Sequence, residues 1–167
     1  MTLHLYDIGT RLVAELTILI EKLVVESCQE SVSRDALKPY IVLKKRKSGS
    51  GREVTPMRIE EGITVVPIGQ EFLGGTNERE DVGYTYLVAC VEGTLTDEIN
   101  AGWRVGAWEQ AIRQRFQQRR IGNLSNNEFC ELACVLRPGE LPSWAEVGDK
   151  MDQTLLKFTC IVRESRR

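Results

Sequence analysis

The chain has 167 residues, 42% of them hydrophobic and 28% charged, with a net charge of −2. Those totals fit one domain, large enough to bury a core without disulfides or metals, and they exclude a disordered or fibrous chain. With no basic excess, tight phosphate-driven binding of DNA by a lone copy is not expected, while passing contact with DNA is compatible.

The first segment has a helical period. Ile8, Leu12, Leu16, Leu19 and Leu23 recur at spacings of three and four, with Asp7 or Thr10 as the expected cap. A polar connection, QESVSRDALKP, follows. Tyr40 to Lys44 has strand character and runs into a basic, glycine-serine loop, KKRKSGSGR. Ile63 to Gly69 is a second strand; Pro67 has no backbone donor, which places this strand at an edge or ends it there. QEFLGGTNERED is read as a turn.

The clearest strand is Val82 to Val91. Tyr84, Tyr86, Val88 and Cys90 fall on one face, and Thr85, Leu87, Ala89 and Val91 on the other. Both faces are largely apolar, so the strand is central, or it packs a helix on one side and a neighbouring subunit on the other. A second helix follows, with Thr96 as cap, Trp108, Ile112 and Phe116 as a stripe, Arg119 and Arg120 in the last turn and Gly122 as the stop. Glu128 to Arg137 is a strand, GELPSWAEVGDKM a loop, and QTLLKFTCIVRESRR the last strand. In that strand Leu156, Phe158, Cys160 and Val162 form the inner face, and Lys157, Thr159 and Arg163 alternate outward. The order predicts a single α+β domain over residues 1–167: two layers, with a mostly antiparallel sheet of about five strands packed by two helices.

Chemistry-bearing motifs are sparse. The cysteines (Cys28, Cys90, Cys130, Cys134 and Cys160) are odd in number and lie among apolar neighbours, the pattern of reduced, buried thiols. Cys130 and Cys134 share one side of a strand and read as small core residues, since a metal site would want more ligands and the single histidine is His4. IGQEFLGGTN lacks the ending of a phosphate loop. The acidic pairs Glu60–Glu61, Glu80–Asp81 and Asp97–Glu98 sit in polar or helix-start settings, where surface or capping roles outweigh acid–base work. A signal peptide pattern is absent, and the apolar stretch Leu16 to Val25 is interrupted by Thr17, Glu21 and Lys22, too short and charged for a membrane span. The basic clusters, Lys44, Lys45, Arg46, Lys47 and Arg52 around the loop and Arg113, Arg115, Arg119 and Arg120 on the second helix, are solvated in a monomer but would sum to a sizeable field in a ring. Trp103 and Trp144 either close the core or anchor an interface.

The layout resembles that of tail terminator (tail-completion) proteins of long-tailed bacteriophages. The features are the N-terminal helix, the strand ITVVPIG, the run EREDVGYTYLVACVEG, the helix GAWEQAIRQRF and the strand LLKFTCIVRESRR. The likeness spans nearly the whole chain in order and character rather than in one motif. It implies a structural virion protein, not an enzyme, with no cofactor. Such proteins form hexameric rings at the head-proximal end of the tail tube, end its polymerisation and join tail to head connector. The implied partners are further copies of the chain, the tail tube protein and the connector or stopper protein. Genomic DNA would pass through the channel without sequence-specific binding, and no membrane is involved. The implied location is the tail or neck of the virion, and host cytoplasm during assembly. The family offers no invariant site to carry over. The physical reading supplies the contact or channel candidates: Lys44, Lys45, Arg46, Lys47, Arg52, Lys157 and Arg163, from the loop and from the last strand, whose exposed edge would pair with a neighbour. The alternatives are a head-completion or stopper protein of the neck, and an unrelated small ligand-binding α+β domain with a deep polar pocket.

Overall fold

The structure, a computed structural model, describes residues 2–21, 41–43, 57–93, 103–117, 133–148 and 151–165. Helix α1 (Thr2–Glu21) lays Ile8, Leu12, Leu16 and Ile20 against the sheet with Leu19 partly buried beside them, so the apolar period holds up to Glu21; Leu23 lies outside the described residues. The helix starts earlier than either expected cap. Thr10 lies inside it, and its hydroxyl donates back to the Tyr6 carbonyl at 2.9 Å. Gly9 lets α1 approach closely, because a Cβ there would stand 3.1 Å from both Leu43 Cδ1 and Tyr86 Cε1. Helix α2 (Trp103–Phe116) buries Val105, Trp108, Ala111, Ile112 and Phe116. Its expected cap Thr96, Arg119, Arg120 and the stop Gly122 lie outside the described residues.

The main sheet has five strands in the order β1–β3–β4–β7–β5. These are β1 (Ile41–Leu43), β3 (Gly62–Gly75), β4 (Arg79–Gly93), β5 (Ala133–Pro138) and β7 (Met151–Ser165). All neighbours are antiparallel except β1 and β3. The sheet and its two helices make the α+β arrangement that the sequence predicts. β4 is central, and its two faces divide as its alternation requires. Tyr84, Tyr86, Val88 and Cys90 join Ile63, Val65, Leu156, Phe158, Cys160 and Val162 under the helices. Phe116 and Phe158 meet edge to face, centroids 5.5 Å apart, near the centre of this cluster.

The other face is covered as well, by an element that the sequence reading missed. β2 (Met57–Ile59) and β6 (Ala145–Val147) form a small parallel sheet. It lies over Val66, Leu87, Ala89, Val91 and Leu155, with Ile59 fully buried and Trp144 packed alongside. The segment around Ala145 is therefore a strand and not a loop, and the apolar back of β4 is met from within the chain.

Two further expectations are corrected. Pro67 does not end its strand. β3 continues to Gly75, with register shifts at Pro67/Gly69 and Phe72/Gly74, and the turn falls at residues 76–78. Pro67 sits just past the last residue that β1 pairs, Val65, and opposite Tyr86 in the ladder to β4. The turn is closed by the Thr76 amide donating to the Arg79 carbonyl at 2.7 Å, and it demands glycine: a Cβ on Gly75 would lie 2.5 Å from the Arg79 oxygen. The other correction concerns β7, which lies between β4 and β5. Its backbone is paired on both sides from Leu156 to Ile161, so it offers no free edge there.

Candidate subunit interface

Of the sequence-derived contact residues, Lys44, Lys45, Arg46, Lys47 and Arg52 lie outside the described residues. Lys157 and Arg163 are on β7 and exposed, as their alternation requires. They are not equivalent. Arg163 is held by Asp81 of β4, with Nε donating at 2.8 Å and a second nitrogen at 3.1 Å to the two carboxylate oxygens. That hydrogen bond keeps the Asp81 carboxyl below its usual range, slight desolvation opposing it. Lys157 stands directly opposite Arg137 of β5 in register. Neither makes an ion pair with a described residue, and like charges across a ladder repel. The pair leaves two cations at one edge of the sheet.

Above that edge, on the helix side, a cleft of about 370 Å³ opens between α2 and β5. Its floor is Leu136, Pro138 and Leu156, its α2 wall is Arg113, Gln114 and Gln117, and Arg137 borders it at the β5 edge. The Gln117 side-chain carbonyl accepts the Leu136 amide at 2.7 Å, which occupies part of the β5 edge. Arg113 pairs with Glu109 at 2.7 Å yet stays more than half exposed. Arg115 instead turns to α1, 3.4 Å from Glu15, and ties the two helices together.

The opposite end of the sheet is an arm. β3 from Ile68 onward and the β4 residues up to Thr85 that it pairs, with β7 on the far side of β4, extend past β1 and past the part of the sheet over which the small β2–β6 sheet packs. The arm carries large apolar side chains in solvent: Ile68 and Leu73 at 45% exposure and Phe72 at 59%. Phe72 is opposite the core residue Val82, so it points to the helix side. Leu73 lies over Gly83, next to Thr159, on the other side, and Glu71, opposite Gly83, shares that side. Exposed apolar groups clustered on one projection mark a contact surface. The sequence reading took this stretch for a turn.

The remaining ionisable groups suggest packing rather than chemistry. Burial pushes the Cys90 thiol up to about 12, helped by nearby Glu109, and burial also raises the Tyr86 phenol well above its ordinary value. The Tyr86 hydroxyl donates to the Leu5 carbonyl. Glu92, buried at the end of β4, faces Asp152 across the ladder, a carboxylate pair that the sequence reading did not single out. Glu60 and Glu61 are exposed. Among the described residues no group of acidic, cysteine or histidine side chains is placed to hold a metal ion, and no helix is long and apolar enough to cross a membrane. No protein-family model matches the sequence, and no curated protein does so.

Proposed function

We propose that the chain is a ring-forming structural subunit that caps the head-proximal end of a long-tailed bacteriophage's tail tube and joins it to the head connector. The observation that carries this reading is the unlikeness of the two ends of the sheet. One end is an arm bearing Ile68, Phe72 and Leu73 in solvent, and the other is a cationic edge with a cleft beside it. A contact between two different surfaces of one chain joins copies head to tail, and a head-to-tail contact closes into a ring when its rotation permits. The element order, a helix, a strand, a long hairpin, a second helix and a returning pair of strands, supports the same reading through its likeness to tail terminators. Under it the subunit is a hexamer without catalytic activity or cofactor. One face of the ring meets the tail tube protein and the other the connector or stopper protein. Lys44, Lys45, Arg46, Lys47 and Arg52 repeat around the axis, and DNA passes through without base-specific contact.

The test is the mass of the purified protein by light scattering after size exclusion, with negative-stain images of the same peak. Six-fold rings with an open channel are expected, in solution or on added tail tubes. A compact monomer that also fails to bind purified tubes would overturn the reading.

A further inference from the structure

The two ends of the sheet fit each other in face, direction and charge. Phe72 points to the helix side, and the cleft between α2 and β5 opens on the helix side. Glu71 points to the opposite side, and so does Arg137, because its neighbour Leu136 faces the core. Glu71 and Arg137 each lack an ion pair with any described residue. Strand direction agrees too. β3, β4, β7 and β5 alternate, so a second sheet set beside β5 in the same orientation brings its β3 antiparallel to β5.

We propose that the arm of one copy docks on the β5 edge of the next copy: Phe72 fills the cleft floored by Leu136, Pro138 and Leu156, and Glu71 pairs with Arg137. Arg113 at the cleft rim lies where its guanidinium can cover the aromatic face, an arrangement favourable to both. Because Gln117 already takes the Leu136 amide, the contact is made by side chains more than by a new strand ladder. It is staggered. Leu136 is level with Tyr86 through Phe158, whereas Phe72 is level with Val82, a difference of about four strand positions or roughly 13 Å. Subunits joined with such an offset tilt their strands against the ring axis, as strands tilt when a sheet closes into a barrel. The occupant of each surface is therefore a second copy of this chain. The closure of these contacts into a ring rests on the reading above, while the contact itself stands on the two surfaces.

Two exposed positions separate the halves of the contact. Phe72→Ser removes the knob and leaves the cleft, and Arg137→Glu spoils the cleft edge and leaves the knob. Each variant, checked for native circular dichroism, should need about tenfold or more higher concentration to assemble. A mixture of the two should form one-to-one dimers that grow no further, since it holds a single intact pair of surfaces. Glu71→Arg should restore assembly to the Arg137→Glu chain when both changes are in one protein. If the native chain assembles and neither variant weakens it, the proposed contact is wrong and the ring reading survives. If both variants weaken assembly but their mixture makes no dimer, the contact is not head to tail. A native chain that stays monomeric at every concentration, with and without tail tubes, would overturn the contact and the ring together.

Discussion

The Tyr86 hydroxyl reaches from the middle of β4 to the Leu5 carbonyl, and beside it Gly9 leaves room for the ring, so one side chain fixes where α1 lies on the sheet. Cys90, four residues on and fully buried, has a different consequence. Its thiol stays protonated up to about pH 12 in the folded chain, while the unfolded thiol ionises near 9. A raised pKa means stability that is complete below pH 9 and drains away as pH climbs toward 12. Over that window the slope from this group approaches about 1.4 kcal/mol per pH unit. Urea unfolding of native protein and Cys90→Ala at pH 8, 9.5 and 10.5 should show the native slope shallower in the variant. Cys90 should also resist iodoacetamide at pH 8.5 until the protein is unfolded, as read by peptide mapping. Cys90 and Cys160 are both buried and outside any disulfide, as the sequence pattern predicts for them.

Along single elements, alternation was a dependable guide wherever an element has one covered side or two. The inner face of β7 and both faces of β4 were legible for that reason. The arm was not. Beyond Ile68 nearly every β3 side chain is in solvent, and a strand exposed on both sides has no reason to alternate. Gln70, Glu71, Gly74 and Gly75 then look like a turn, although they pair with Tyr84, Gly83, Asp81 and Glu80. Near the tip of the arm Asp81 and Arg163 tie β4 to β7. Both are substantially exposed, so their pair is worth about 0–1 kcal/mol. Its sign is set by the lowered carboxyl: the contribution is present above the ordinary carboxylate range and is lost as pH falls through the pKa of Asp81 itself. A double-mutant cycle of Asp81→Asn and Arg163→Met should give a coupling in that range at pH 7 that weakens as the pH is lowered. The cleft could not have been found from the sequence, because Gln117 and Leu136 are brought together only by packing.

At the scale of the whole molecule, β4 is apolar on both faces because the chain places helices on one side and the β2–β6 sheet on the other. The strand pattern announced the second covering but could not say what it was. Met57–Ile59 and Ala145–Val147 are too short for a period to show, and they lie far apart in sequence. If this small sheet is integral to the fold, Ile59→Ala should cost about 2–5 kcal/mol, and tryptophan fluorescence and circular dichroism should still report one coincident transition. Two separate transitions would mean that the third layer is an accessory. The strand order has a last consequence, in time. β3 and β4 form a local hairpin that can zip within microseconds, but β5 is synthesised before β7 and has no other partner among the described strands. Until β7 inserts between β4 and β5, the helix-side core lacks Leu156, Phe158, Cys160 and Val162. Folding is therefore gated by one long-range insertion, which makes it slower than that of chains built from local contacts.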